Sequence, residues 1–247
     1  MDVVDLREFY ANRVGNSTRR LIAQSLQPHL RVQAGATVVG LGFATPYLSG
    51  GLEGARATLA FMPVRQGVLQ WPPQAPVSSA LVDEFDLPLL ESVADLVLVV
   101  HGLEVTDNPA EMLEELWRVL APQGRLLLVV PNRRGMWARF DSTPFGYGQP
   151  FSRPQLASLL KDARFSILSW SQALFMPPID RGPFLSSAPA LERIGNWLMP
   201  RFAGVIVVEA VKQVYATSSG KRVRRLVPRL RPALAPAPAR FEPPKNS

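Results

Sequence analysis

The chain has 247 residues, 47% of them hydrophobic, with no cysteine, two histidines and a formal net charge of +7. That length suits one sizeable α/β domain with extensions rather than two ordinary domains, and the cysteine and histidine counts exclude disulfides, thiolate metal sites and a histidine-rich metal site. The charge is local: eight of the 27 basic residues but only one of the 20 acidic residues lie in 217–247, so that segment carries the whole +7, while the remainder is neutral.

In chain order, residues 2 to about 28 read as helix, because Val4, Leu6, Phe9, Tyr10, Val14, Leu21, Ile22 and Leu26 recur mostly at spacings of three and four. A buried strand over 36–41 follows the Gly35 break, and Thr45-Pro46 has the form of a helix start, with Thr as N-cap and Pro at the first helical position. A second strand runs from about 56 to 62 and stops at Pro63. Pro72, Pro73 and Pro76 leave little helix between 66 and 76. A third strand over 77–82 leads into Asp83-Glu84-Phe85-Asp86-Leu87-Pro88, and 94–100 is a fourth, apolar almost throughout, as a strand covered on both faces should be. Asn108-Pro109 caps a helix with Met112, Leu113, Leu116, Val119 and Leu120 on one stripe, expected to end at Gly124. A fifth strand over 125–130, a long loop over 132–150, a helix over 152–162, a strand near 165–174, a helix near 189–198 and a strand over 204–214 complete the series. No run of apolar residues exceeds strand length, and the acidic opening Met1-Asp2-Val3-Val4-Asp5 is unlike a signal peptide, so a cytoplasmic setting without a transmembrane segment is expected.

Strands alternating with helices predict an α/β, Rossmann-like, seven-stranded and mostly parallel sheet with helices on both faces. The expected organisation is an N-terminal helical extension (1–30), the α/β domain (31–216) and a basic, Pro/Ala-rich, disordered tail (217–247). Ligands of such sheets bind at the carboxyl ends of the strands, near the switch in strand order. That rim falls to the loops at 40–46, 62–66, 83–86, 101–106 and 131–150.

Three segments carry a resemblance. Residues 94–131, ADLVLVVHGLEVTDNPAEMLEELWRVLAPQGRLLLVVP, give a strand, His-x-Leu-Glu, an Asn-Pro-capped helix ending Leu-Ala-Pro-Gln-Gly-Arg, and a strand into Pro131; 83–88 give an acidic element followed by Leu-Pro; 38–48, VVGLGFATPYL, fall where a glycine-rich loop belongs. Together they resemble the type 11 family of class I S-adenosylmethionine-dependent methyltransferases, over roughly 180 residues. The resemblance implies S-adenosyl-L-methionine as cofactor and methyl transfer to an acceptor that the sequence does not identify, with a non-catalytic regulatory or interaction module of the same fold as the alternative. It places cofactor contacts at Gly40, Gly42, Ala44, Met62, Asp83 and Glu84, Asp83 standing where the family accepts the adenine amino group.

The loop departs from the family pattern Val-Leu-Asp-x-Gly-x-Gly-x-Gly: Gly40 replaces the acid, Ala44 the second glycine and Pro46 the third, and Met62 stands where an acid would grip the ribose hydroxyls. A lost charge-assisted contact is worth ~1.5–3 kcal/mol and a neutral one ~0.5–1.5. Gln66 or a main-chain group is the expected replacement donor or acceptor.

His101, at the end of the fourth strand, is the candidate catalytic residue, positioning or deprotonating the nucleophile; a hydrogen-bonded structural histidine is the alternative. Glu104 is expected to order the loop after the fourth strand, and His29, at the end of the first helix, to be a favourable C-terminal charge or a solvated residue. The arginines and aromatics of 132–150 are expected to recognise an anionic or planar acceptor, or else to pack the loop. The tail is the expected site for an anionic partner, nucleic acid or lipid headgroups, or is a solubilising extension.

Overall fold

The structure, a computed structural model, describes residues 1–50, 52–180, 188–198 and 202–213. The basic segment 217–247, with its expected disorder, lies outside them. Seven strands are ordered β3-β2-β1-β4-β5-β7-β6: β1 (Thr37–Gly42), β2 (Ala57–Pro63), β3 (Ser79–Val82), β4 (Ala94–Val100), β5 (Leu120–Pro131), β6 (Phe165–Ala173) and β7 (Val205–Lys212). The first five pair in parallel, and β7 runs antiparallel between β5 and β6. The expected Rossmann-like sheet is therefore present, and the strand order reverses between β1 and β4.

Strand alternation divides the core in two. Val38, Leu96, Leu98, Val100, Leu127, Val129, Val205 and Val207 face α1 (Val3–Ala11) and α2 (Arg13–Leu26). Val39, Leu41, Val97, Val99, Leu126, Leu128, Ile206 and Val208 face α3 (Pro109–Val119) and α4 (Arg153–Asp162). The stripe of α3 is as expected: Met112, Leu113, Leu116 and Val119 are fully buried, each contributing ~1.5–3 kcal/mol of transfer free energy. Asn108 caps it by accepting the Glu111 N–H. A fifth helix, α5 (Ala188–Leu198), lies beside α2 and β6. Among the described residues, no helix is long and apolar enough to cross a membrane.

Three expected elements differ. The single N-terminal helix is two: Asn12 leaves helical geometry, ends α1, and caps α2 by accepting the Gly15 N–H at 2.8 Å. A Cβ at Gly15 would sit 1.8 Å from the Phe9 carbonyl oxygen, so only glycine lets the chain turn this tightly. The helix expected from Thr45 is one 3-10 turn, Thr45–Tyr47. Ser49-Gly50-Gly51 follows at once, each glycine costing ~1 kcal/mol in a helix, and the buried Tyr47 and Leu48 are drawn into the core instead. Finally, α3 stops at Val119 rather than at Gly124, because Pro122 disfavours helical geometry at Ala121, and Leu120 already pairs with Ala94 as the start of β5. The 64–78 connection is without helix, as its prolines require.

Candidate active site

The crevice at the reversal of strand order is bounded by the ends of β1 and β4, where a Rossmann-like sheet takes its ligand. Gly42 ends β1 with φ +77, and a Cβ there would lie 2.4 Å from the Val100 carbonyl oxygen. Glycine is thus required for β1 and β4 to meet so closely. The next N–H, that of Phe43, donates to the same Val100 carbonyl at 2.7 Å. One of the loop donors that a cofactor carboxylate would need is therefore already committed within the protein.

Across this crevice lies α1. The Tyr10 ring stacks on Phe43, centroids 5.5 Å apart at 19°, and its hydroxyl meets His101 Nε2 at 2.8 Å. Tyr47 donates its hydroxyl hydrogen to the Tyr10 oxygen at 3.2 Å, while His101 Nδ1 lies 3.2 Å from Glu104 Oε1. One direction of donation satisfies the whole chain: Tyr47 to Tyr10, Tyr10 to Nε2, and Nδ1–H to Glu104. Burial pushes the Tyr10 hydroxyl well above the ordinary tyrosine range, helped by Tyr47 and Glu104, and burial also raises Tyr47 despite its bond to Tyr10. Phe145 closes the other side of the imidazole, its centroid 4.8 Å from that of His101. All six side chains are buried. His101 itself adopts a left-handed φ of 50°, a conformation that a non-glycine residue keeps only when its surroundings hold it there.

The other expected contacts separate. Met62 is fully buried in the α1-side core, and its sulfur accepts the Leu69 N–H, so it offers nothing to a ligand at the rim. Asp83 is exposed just after β3 and accepts the Phe85 N–H at 2.9 Å in an Asx turn. Gly40 and Ala44 stay at the crevice, beneath Leu48. Glu84 is buried at the mouth of β3, where Thr106 donates to it at 3.4 Å. It lines a cavity of about 210 Å³ with Gln66, Gly102, Val105 and Tyr147. That is below the ~300–1,000 Å³ usual for a cofactor-sized ligand. The exposed pair Arg65–Asp107 stands at its edge, and Arg65 holds the Asp107 carboxyl below its usual range.

Gln66 reaches from the end of β2 over β1, donating its Nε2–H to the His101 carbonyl at 2.9 Å, and its main-chain carbonyl accepts the Val3 N–H, so it also tethers the start of α1. Two buried oxygens here lack a partner among the described residues, Gln66 Oε1 and Glu104 Oε2. Buried acceptors are normally satisfied, and hydroxyl or amino donors of a nucleoside would satisfy both. The residues present therefore fit S-adenosylmethionine only with α1 withdrawn: acceptors are in place, but the crevice and part of the loop are filled by the protein. Tyr10, Phe43 and Tyr47 were not singled out as site residues by the sequence, where Tyr10 is one more apolar position of a helix; no local signal marks a contact spanning 91 residues. In the 132–150 loop, Trp137 and Phe145 are core residues, whereas Arg133, Arg134 and Arg139 are exposed.

Residues 34–128 match the methyltransferase domain family. No curated protein matches the chain. Among solved structures, a Haloferax volcanii putative methyltransferase, in complex with the Trm112 methyltransferase activator, is similar at TM-score 0.62 and 17% identity, over 85% of this chain and 98% of that one. A Thermotoga maritima S-adenosylmethionine-dependent methyltransferase, described as a possible histamine N-methyltransferase, is similar at TM-score 0.60 and 17% identity, over 85% and 96%. The [4+2]-cyclase SpnF shares the fold at TM-score 0.55 and 18% identity, over 81% and 84%, so the fold alone does not fix the reaction. The matched segment lies within the β3-β2-β1-β4-β5-β7-β6 sheet, so residues 34–128 are similar to the methyltransferase domain family and the fold around them is that of S-adenosylmethionine-dependent methyltransferases.

Proposed function

We propose that this chain is an S-adenosylmethionine-dependent methyltransferase whose cofactor crevice is closed by its own N-terminal helix, so that cofactor binding and the seating of α1 exclude each other. The observation that carries this is the Tyr10 hydroxyl on His101 Nε2, both buried at the switch point of the sheet. S-adenosylmethionine, when bound, supplies an electrophilic methyl group. Withdrawal of α1 bares the Gly42–Ala44 backbone, and leaves Gln66 Oε1, Glu104 Oε2 and Glu84 to accept the donors of the nucleoside. It also frees His101 Nε2 to take a proton from the acceptor, while Glu104 on Nδ1 holds the ring in place and stabilises the charge it gains. The acceptor is unidentified. The Haloferax complex is a precedent for a partner acting on a domain of this fold. The cytoplasmic setting and an anionic partner for 217–247 belong to this proposal and rest on the sequence.

A second reading, a non-catalytic module, draws on the buried Met62 at the ribose position and on the Phe43 N–H committed to Val100. Calorimetric titration with S-adenosylmethionine separates the two. A closed crevice lowers apparent affinity by the fraction of open molecules, and Tyr10→Ala removes ~3–5 kcal/mol of α1 seating. The variant should therefore bind at least about tenfold more tightly than the wild type. Absence of binding by both at millimolar cofactor establishes the module; equal micromolar binding by both refutes closure.

A further inference from the structure

On the far side of Trp137 from His101 lies a second concavity. It is a groove of about 410 Å³ between the 3-10 turn Trp137–Arg139 and α5, lined by Met136, Phe175, Leu191, Ile194 and Phe202. This volume is within the ~300–1,000 Å³ range of small-molecule sites. Met136, Ile194 and Phe202 are 44%, 55% and 58% exposed, an unusual grouping of large apolar side chains on one open surface. Two arginines of the same lining, Arg134 and Arg139, are exposed and have no acidic partner among the described residues. The floor is rigid. Trp137 is fully buried and donates its indole N–H to the Met176 carbonyl at 2.7 Å, and Glu192 of α5 accepts the Leu174 and Phe175 N–H groups at 3.1 and 2.6 Å. Gly195 allows α5 to lie on the Phe175 ring, which a Cβ would meet at 2.5 Å.

An apolar trough with two uncompensated guanidinium groups is complementary to one kind of molecule: an apolar chain ending in an anion. A neutral chain would leave the arginines unused, and a small anion would leave the trough empty. We propose that this groove binds a free single-chain anionic amphiphile, its chain against Ile194, Phe202 and Met136 and its carboxylate or phosphate on Arg134 and Arg139. Buried Trp137 and Phe145, in contact at 5.4 Å, separate the groove from His101, so the site is distinct from the β1–β4 crevice and does not depend on methyl transfer.

Titration of the full chain with decanoate, below its micelle-forming concentration, tests the assignment by calorimetry. Micromolar binding is expected, weakened about tenfold or more by Ile194→Asp and by Met136→Asp, two exposed positions on opposite walls. The Arg134→Ala/Arg139→Ala double variant should lose about 10- to 100-fold for decanoate while binding neutral decanol like the wild type. Because these variants keep the basic 217–247 segment, decanoate binding unchanged in all three would assign it to that segment and overturn the proposal. Absence of binding at millimolar decanoate overturns it too, as does retention on phosphatidylglycerol vesicles without decanoate binding, which makes the surface a bilayer contact.

Discussion

The Tyr10 hydroxyl and His101 Nε2 meet at 2.8 Å inside the molecule, joining the first helix to the end of the fourth strand across 91 residues. Tyr10→Phe keeps the ring stacked on Phe43 but leaves the imidazole nitrogen buried without a donor. The expected cost is ~1–3 kcal/mol, seen in thermal denaturation as a fall of about 2–4 °C per kcal/mol. An unchanged melting temperature would mean that the bond contributes nothing.

The same network sets an alkaline limit. Tyr10 and Tyr47 have hydroxyls raised by burial above their unfolded values. The folded state therefore holds protons that the unfolded chain releases above pH ~10. Stability is full below that pH and is lost as pH rises toward the folded values, by up to ~1.4 kcal/mol per pH unit for each tyrosine. In urea denaturation between pH 9 and 11, Tyr47→Phe should show a shallower decline than the wild type; identical declines would remove Tyr47 from the account.

At the acidic end a contributing carboxylate is Glu209 of β7. Burial alone would raise it, but Arg125 at 2.9 Å and His29 Nδ1 at 2.8 Å hold it below the usual range. Its stabilisation is present above the unfolded value of about 4.3 and is lost as pH falls through the folded one. Glu209→Gln should cost about 3 kcal/mol at neutral pH and flatten the acid limb of the stability profile, measured by urea midpoints at successive pH values.

Gly42→Ala tests the seam between β1 and β4. Its φ of +77 costs a side chain ~1–2 kcal/mol, and the added methyl meets the Val100 carbonyl oxygen at 2.4 Å. A lowered urea midpoint at unchanged slope is expected; a neutral result would show that the seam has room.

How much of this was legible in the sequence follows from how local each signal is. The Asn108-Pro109 cap, the α3 stripe and the nearly continuous apolar run of β4 are short-range patterns, and each element falls within a residue or two of its expected limits, the C-terminal end of α3 excepted. The Thr45-Pro46 signal rests on two residues, and the Ser49-Gly50-Gly51 that follows in the sequence outweighs it. In the site, His101, Gly40, Gly42, Ala44 and Glu84 reach the rim because strand ends are countable. Met62 turns into the core, since which side of a strand end faces the rim depends on register and loop path. Closure of the crevice by Tyr10 was invisible, because it depends on where α1 docks.

Exclusion between α1 and the cofactor is probed most directly by hydrogen exchange across residues 3–11 with and without saturating S-adenosylmethionine. The amides of α1 should be protected in the free protein and should exchange faster when the cofactor is bound, because binding selects the form in which Tyr10 has left His101. Cofactor binding that leaves α1 protection unchanged or stronger would contradict the closed crevice.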